Sequence, residues 1–112
     1  MMLFMFAAII FTMASTTVIE DMCENGGQSV CAWKGMGEMC ICPDPYSCVQ
    51  SDAYKAEVTL VNRTETFYTC QQISDFSLCA ASDPAMQGQL QQLNCRCSNG
   101  IYVLGVGAIV CG

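Results

Sequence analysis

Ten cysteines, at Cys23, Cys31, Cys40, Cys42, Cys48, Cys70, Cys79, Cys95, Cys97 and Cys111, are the residues whose type and spacing point to chemistry in this chain. Thiols in such numbers either pair as disulfides or hold a metal. Structural zinc prefers C-x2-C to C-x4-C spacings, often completed by histidine. Here the close pairs are C-x-C and there is no histidine. The reading is therefore five disulfides, with no metal and no cofactor. Ten cysteines allow about 945 pairings, so the connectivity stays open at this level. Cys40/Cys42 and Cys95/Cys97 should not close on themselves. Residues two apart in an extended strand point the same way, so each cysteine must find its partner elsewhere.

The rest of the composition excludes several functions. Without histidine there is no Ser-His-Asp or Cys-His catalytic set and no imidazole pH switch. Ten Asp and Glu against four Lys and Arg give a net charge of -6, which cannot form a basic stripe for nucleic acid. The acidic side chains are scattered, nothing in the sequence pins a catalytic pair together, and no nucleophile motif is present, so an enzyme is not expected. The acidic balance would instead steer the chain toward a basic partner.

Elements must hold these cysteines in place, and the chain of 112 residues has room for one ordinary domain or two very small modules. Met1 to Ser15 form an almost unbroken apolar run, followed by small residues at Ala14, Ser15, Thr16 and Thr17. The run is shorter than the roughly 20 residues of a membrane-spanning helix and reads as a signal peptide over 1–17. The mature chain is then 18–112, secreted, without a membrane span and expected as a monomer. Every charged residue follows Thr17, so the mature charge is unchanged.

Within it, 23–48 and 70–111 carry five cysteines each, with C-x-C third and fourth in both, so two sub-modules are suggested. Five is odd, so at least one bridge must join them. Between them lies an insert, 49–69. There Val58–Val61 and Thr66–Thr69 are β-branched and aromatic runs around a polar turn at Asn62–Glu65, which predicts a β-hairpin. Ser82-Asp83-Pro84 looks like a helix start, and Met86, Leu90 and Leu93 recur at helical spacing, despite Gly88. Ile101–Leu104 and Ala108–Val110 frame Gly105-Val106-Gly107, as a second hairpin or one kinked strand. Ser98-Asn99-Gly100 lacks the polar spacer of a lipid-anchor signal, so the tail reads as a disulfide-pinned strand. The fold class expected is small and disulfide-rich: mostly β-hairpins and loops, with one short helix.

Two segments could carry function. Asn62-Arg63-Thr64 is an N-x-[ST] glycosylation acceptor on a predicted turn, and a glycan there would keep the turn out of any tight interface. Between Cys31 and Cys40, the loop holds the only tryptophan, Trp33, together with Lys34 and Met36. A loop fixed by cysteines at both ends loses little entropy on binding, and Trp and Met supply apolar contact. Trp33, Lys34 and Met36 are therefore the candidate partner-binding residues, and Lys34 or Met36 would suit a protease specificity pocket. The competing reading makes Trp33 part of a small core.

Cys95-Arg96-Cys97-Ser98-Asn99-Gly100-Ile101-Tyr102, ending at Cys111, resembles the C-x-C-x2-G-[aromatic] terminus of EGF-like, EB-type and trypsin-inhibitor-like modules. Cys40–Cys48 looks like a shortened version of the same element. The whole is similar to the short cysteine-rich secreted effectors of arthropod saliva and venom, particularly tick salivary proteins. That resemblance implies binding and inhibition of an extracellular host protein of the protease, complement or chemokine class. The alternatives are a serine-protease inhibitor using Lys34, or a structural extracellular module.

Overall fold

The computed structural model describes residues 21–80, 82–87 and 91–112. The predicted signal peptide, 1–17, lies outside the described residues, as do Gly88 and Leu90 of the expected helix. Among the described residues seven strands form one sheet: β1 (Val30–Trp33), β2 (Gly37–Glu38), β3 (Lys55–Thr59), β4 (Thr64–Thr69), β5 (Met86–Gln87), β6 (Tyr102–Leu104) and β7 (Ala108–Cys111). Their spatial order is β2-β1-β4-β3-β6-β7-β5. All neighbours pair antiparallel except β3 and β6, which run parallel. The 49–69 segment thus supplies two inner strands of the sheet.

Period-two patterning explains the central hairpin. Along β3, Ala56 and Val58 are buried while Glu57 and Thr59 face solvent. Ala56 stands opposite Phe67, so the apolar faces of β3 and β4 coincide. The turn falls two residues earlier than the sequence pattern suggests: Leu60 N–H donates to the Arg63 carbonyl at 2.7 Å, closing a loop over Leu60–Arg63. Thr64 is β-branched and pairs with Thr59, so it extends β4 rather than the turn. Leu60 tucks against the core, leaving Val61 outside. The second hairpin, β6–β7, turns at Gly105–Ala108, where Gly107 has a φ of 76° that glycine adopts without strain.

The expected helix over Met86–Leu93 does not appear in its described part. Met86 and Gln87 form an edge strand on Ile109 and Ala108. Met86 and Leu93 are both fully buried, as their apolar spacing implies, but extended backbone delivers Met86 there. Tertiary pairing outweighs a local helical pattern this short. Helical structure among the described residues takes the form of 3-10 turns at Gly26–Gln28, Asp52–Tyr54 and Ile73–Asp75. No helix among these residues is long and apolar enough to cross a membrane.

Two cores result. The larger packs Val58, Phe67, Tyr102, Ile109 and Met86 from the sheet against Phe76, Ala85, Leu93, Cys95 and Cys97 from the 76–97 segment. The smaller is built mostly of sulfur: Cys23, Cys31, Cys42 and Cys70 with Ala32, flanked by Tyr46 and Tyr68. β1 serves both. A bulge between Val30 and Ala32 shifts its register, and Val30 joins the first core while Cys31 and Ala32 join the second.

The bridges are Cys23–Cys40, Cys31–Cys48, Cys42–Cys70, Cys79–Cys95 and Cys97–Cys111, with no cysteine free. Neither C-x-C pair closes on itself. Cys42–Cys70 joins the two sets of five, and the pairing does not repeat between them. Cys97–Cys111 pins the tail strand.

Tyr102 is buried, and its hydroxyl accepts a hydrogen bond from Cys97 N–H at 3.2 Å. Burial pushes the phenol above its ordinary value, against the opposing pull of that bond and of Arg96. The unfolded phenol ionises near pH 10. The stabilising neutral form is therefore fully favoured below that pH, and its contribution is lost as pH climbs through the folded value. Tyr102→Phe strips the acceptor from a buried N–H and should cost about 1–2 kcal/mol in urea unfolding at neutral pH. It should also flatten the alkaline loss of stability. A variant as stable as the parent would show that Cys97 N–H has another partner.

Candidate functional site

The β1–β2 hairpin is held at its base by two disulfides. Cys31, inside β1, bonds to Cys48, and Cys40, just beyond β2, bonds to Cys23. At the tip, Met36 N–H donates to the Trp33 carbonyl at 3.0 Å, a tight turn in which Gly35 has a φ of 89°. Lys34 N–H donates to the Thr66 carbonyl at 2.9 Å, tying the turn to β4. The backbone is therefore fixed before any partner arrives.

The three residues expected to bind divide. Lys34 is exposed and Met36 is 74% exposed at the tip. Trp33 is half-buried, its ring 5.4 Å from Phe67 and packed on the larger core. Trp33 braces the hairpin while Lys34 and Met36 project from it.

Beside the hairpin base lies a cleft of about 160 Å³ that no local sequence pattern marks. The Asp21–Cys23 segment runs alongside Ile41: Ile41 N–H donates to the Asp21 carbonyl at 2.9 Å, and Cys23 N–H to the Ile41 carbonyl at 2.8 Å. Met22 and Met39 line the cleft, with Asp21 and Glu24 among its walls. Both methionines are substantially exposed, as is Ile41. Each methionine immediately precedes one cysteine of the Cys23–Cys40 bridge. That bridge brings them to one cleft, so the signal was present in the sequence but needed the pairing to be legible. Methionine side chains adapt to an apolar stem, and nearby carboxylates attract a cationic head. A lysine or arginine side chain has both parts.

A larger groove, about 530 Å³, contains Lys55 and Arg96 along with Asn99 and Tyr102. Its cations are engaged internally. Lys55 lies 3.4 Å from Asp52 and 3.8 Å from Glu57, and the hydrogen bond and charge of Asp52 hold its ammonium above the usual lysine range. Arg96 Nε donates to the Phe76 carbonyl at 2.9 Å. The acidic cleft and the hairpin tip, by contrast, present groups free to meet a partner. Sulfurs of Cys23, Cys42 and Cys70 lie within 4.8 Å of one another, but each belongs to a disulfide and offers no thiolate to a metal.

No protein family, curated protein or solved structure matches this chain.

Trp33→Ala should lower stability by about 2 kcal/mol, less than for a fully buried tryptophan, whereas Met36→Ala should stay within about 0.5 kcal/mol of the parent. Thermal unfolding of both variants checks this. A Trp33→Ala protein that melts with the parent would return Trp33 to the binding surface.

Proposed function

We propose that the protein is a secreted, disulfide-stapled binding protein that docks on a basic surface of another extracellular protein and inhibits it by occupying that surface. The observation that carries this reading is the fixed hairpin with Lys34 and Met36 exposed, set beside a methionine-lined, carboxylate-edged cleft. Five disulfides suit an oxidising compartment. The net charge of -6 favours encounter with a cationic partner. Rigid backbone and adaptable methionines supply the apolar contact.

The tight turn favours docking over the protease-inhibitor alternative. A trypsin-like pocket takes a basic side chain from an extended segment. Lys34 is followed at once by the left-handed Gly35 and by a turn-closing hydrogen bond. The strand ends at Trp33, which leaves no extended run through Lys34.

The test is capture from plasma or another extracellular fluid with the disulfide-bonded protein, compared with Met22→Ser/Met39→Ser and Asp21→Asn/Glu24→Gln. The retained partner should present a lysine- or arginine-rich surface. The methionine variant should weaken binding by about 30-fold, near 2 kcal/mol, at an unchanged melting temperature. The charge variant should slow association several-fold and reduce its salt dependence. A partner bound equally by all three proteins would overturn the cleft, and inhibition of a protease lost with Lys34→Ala would favour the alternative.

A further inference from the structure

The strand directions gather three hairpin tips at one end of the sheet. β1 and β3 both run antiparallel to β4, and β6 runs parallel to β3, so all three point the same way. The turns after them, Lys34–Met36, Leu60–Arg63 and Gly105–Gly107, therefore face one end. Thr59 pairs with both Thr64 and Val103, which puts the second and third turns side by side at nearly equal height. Trp33 stands opposite Phe67, so the first hairpin stops three residues, roughly 10 Å, short of them.

The two taller tips carry apolar side chains with nothing over them. Val61 is 89% exposed, Val106 is fully exposed, and Leu104 is about half exposed. Asn62 occupies the same turn as Val61. The turn is closed by Leu60 and Arg63, Arg63 is further engaged by Glu65, and both Asn62 and Thr64 face solvent. The Asn62-Arg63-Thr64 acceptor thus sits on an exposed turn at this uncovered apolar end, open to a bulky hydrophilic group.

We infer that Asn62 carries an N-linked glycan whose inner sugars lie over Val61, Leu104 and Val106. The donor class is a lipid-pyrophosphate-linked oligosaccharide. The Asn62 amide nitrogen loses one proton and bonds to the anomeric carbon, the carbon–oxygen bond to the pyrophosphate breaks, and the lipid pyrophosphate leaves with the electron pair. A glycan here solubilises the taller tips. It leaves the shorter β1–β2 tip and the acidic cleft open, so it is compatible with the docking surface and independent of it.

The test uses full-length protein secreted from eukaryotic cells: parent, Asn62→Gln, Thr64→Ala and Thr64→Ser. Intact mass is read before and after enzymatic release of N-glycans. The parent and Thr64→Ser should carry a releasable glycan, and Asn62→Gln and Thr64→Ala should carry none. Secreted parent without a glycan at Asn62 overturns the site. For the covering role, the folded parent is deglycosylated enzymatically, which removes any folding defect of the variants from the comparison. Light scattering should then show self-association rising with concentration, reversed by Val61→Ser/Val106→Ser. A deglycosylated parent that stays as monodisperse as the glycoprotein overturns the cover.

Discussion

The Cys42–Cys70 bridge is the constraint on which the rest of the architecture depends. It is the one covalent link between the first five and last five cysteines. It ties the segment after the β1–β2 hairpin to the end of β4, and its sulfurs lie at the centre of the second core. Neither 23–48 nor 70–111 is long enough to bury a useful core on its own, so disulfides supplement packing. The larger core packs Phe76, Ala85, Leu93 and Cys95 around Phe67 and Ile109. Much of what holds the other is sulfur. The bridges close loops of 14 to 28 residues, and each removes about 3 kcal/mol of freedom from the unfolded chain.

The division of labour between the two ends of the sheet follows from that arrangement. Three disulfides, Cys23–Cys40, Cys31–Cys48 and Cys42–Cys70, gather where β4 finishes, and hairpin turns project from the opposite end. The cations are distributed with them. Lys34 and Arg63 sit at turns, whereas Lys55 and Arg96 are engaged beside the larger groove. Lys34 is the cation in a turn held by backbone bonds alone, while Arg63 meets Glu65. The acidic cleft lies beside the base of the β1–β2 hairpin and owes its shape to Cys23–Cys40. Scaffold and surface are thus made by the same bonds.

How much of this was legible in the sequence depends on whether the information was local. The β-branched and aromatic runs at Val58–Val61 and Thr66–Thr69, around a polar turn, mark the central hairpin because pairing partners lie close in the chain. Ile101–Leu104 and Ala108–Val110 fit a second hairpin or one kinked strand, and the pairing of Tyr102 with Cys111 makes it a hairpin. The odd count in each set of cysteines required a joining bridge without saying which. Met86 and Leu93 have a spacing that suggests one helical face, but a spacing of seven residues fits two separate extended segments as well. Trp33 was ambiguous because only its contact with Phe67, 34 residues away in sequence, decides which way the ring turns. The Met22–Met39 cleft was illegible without the connectivity, which no local pattern encodes.

Peptide mapping of the non-reduced, natively folded protein by mass spectrometry tests the central claim most directly. The expected map has Cys42–Cys70 as the single linkage between the two sets, with Cys23–Cys40, Cys31–Cys48, Cys79–Cys95 and Cys97–Cys111 beside it. A map in which Cys42 pairs within the first set, or in which either C-x-C closes on itself, would contradict it.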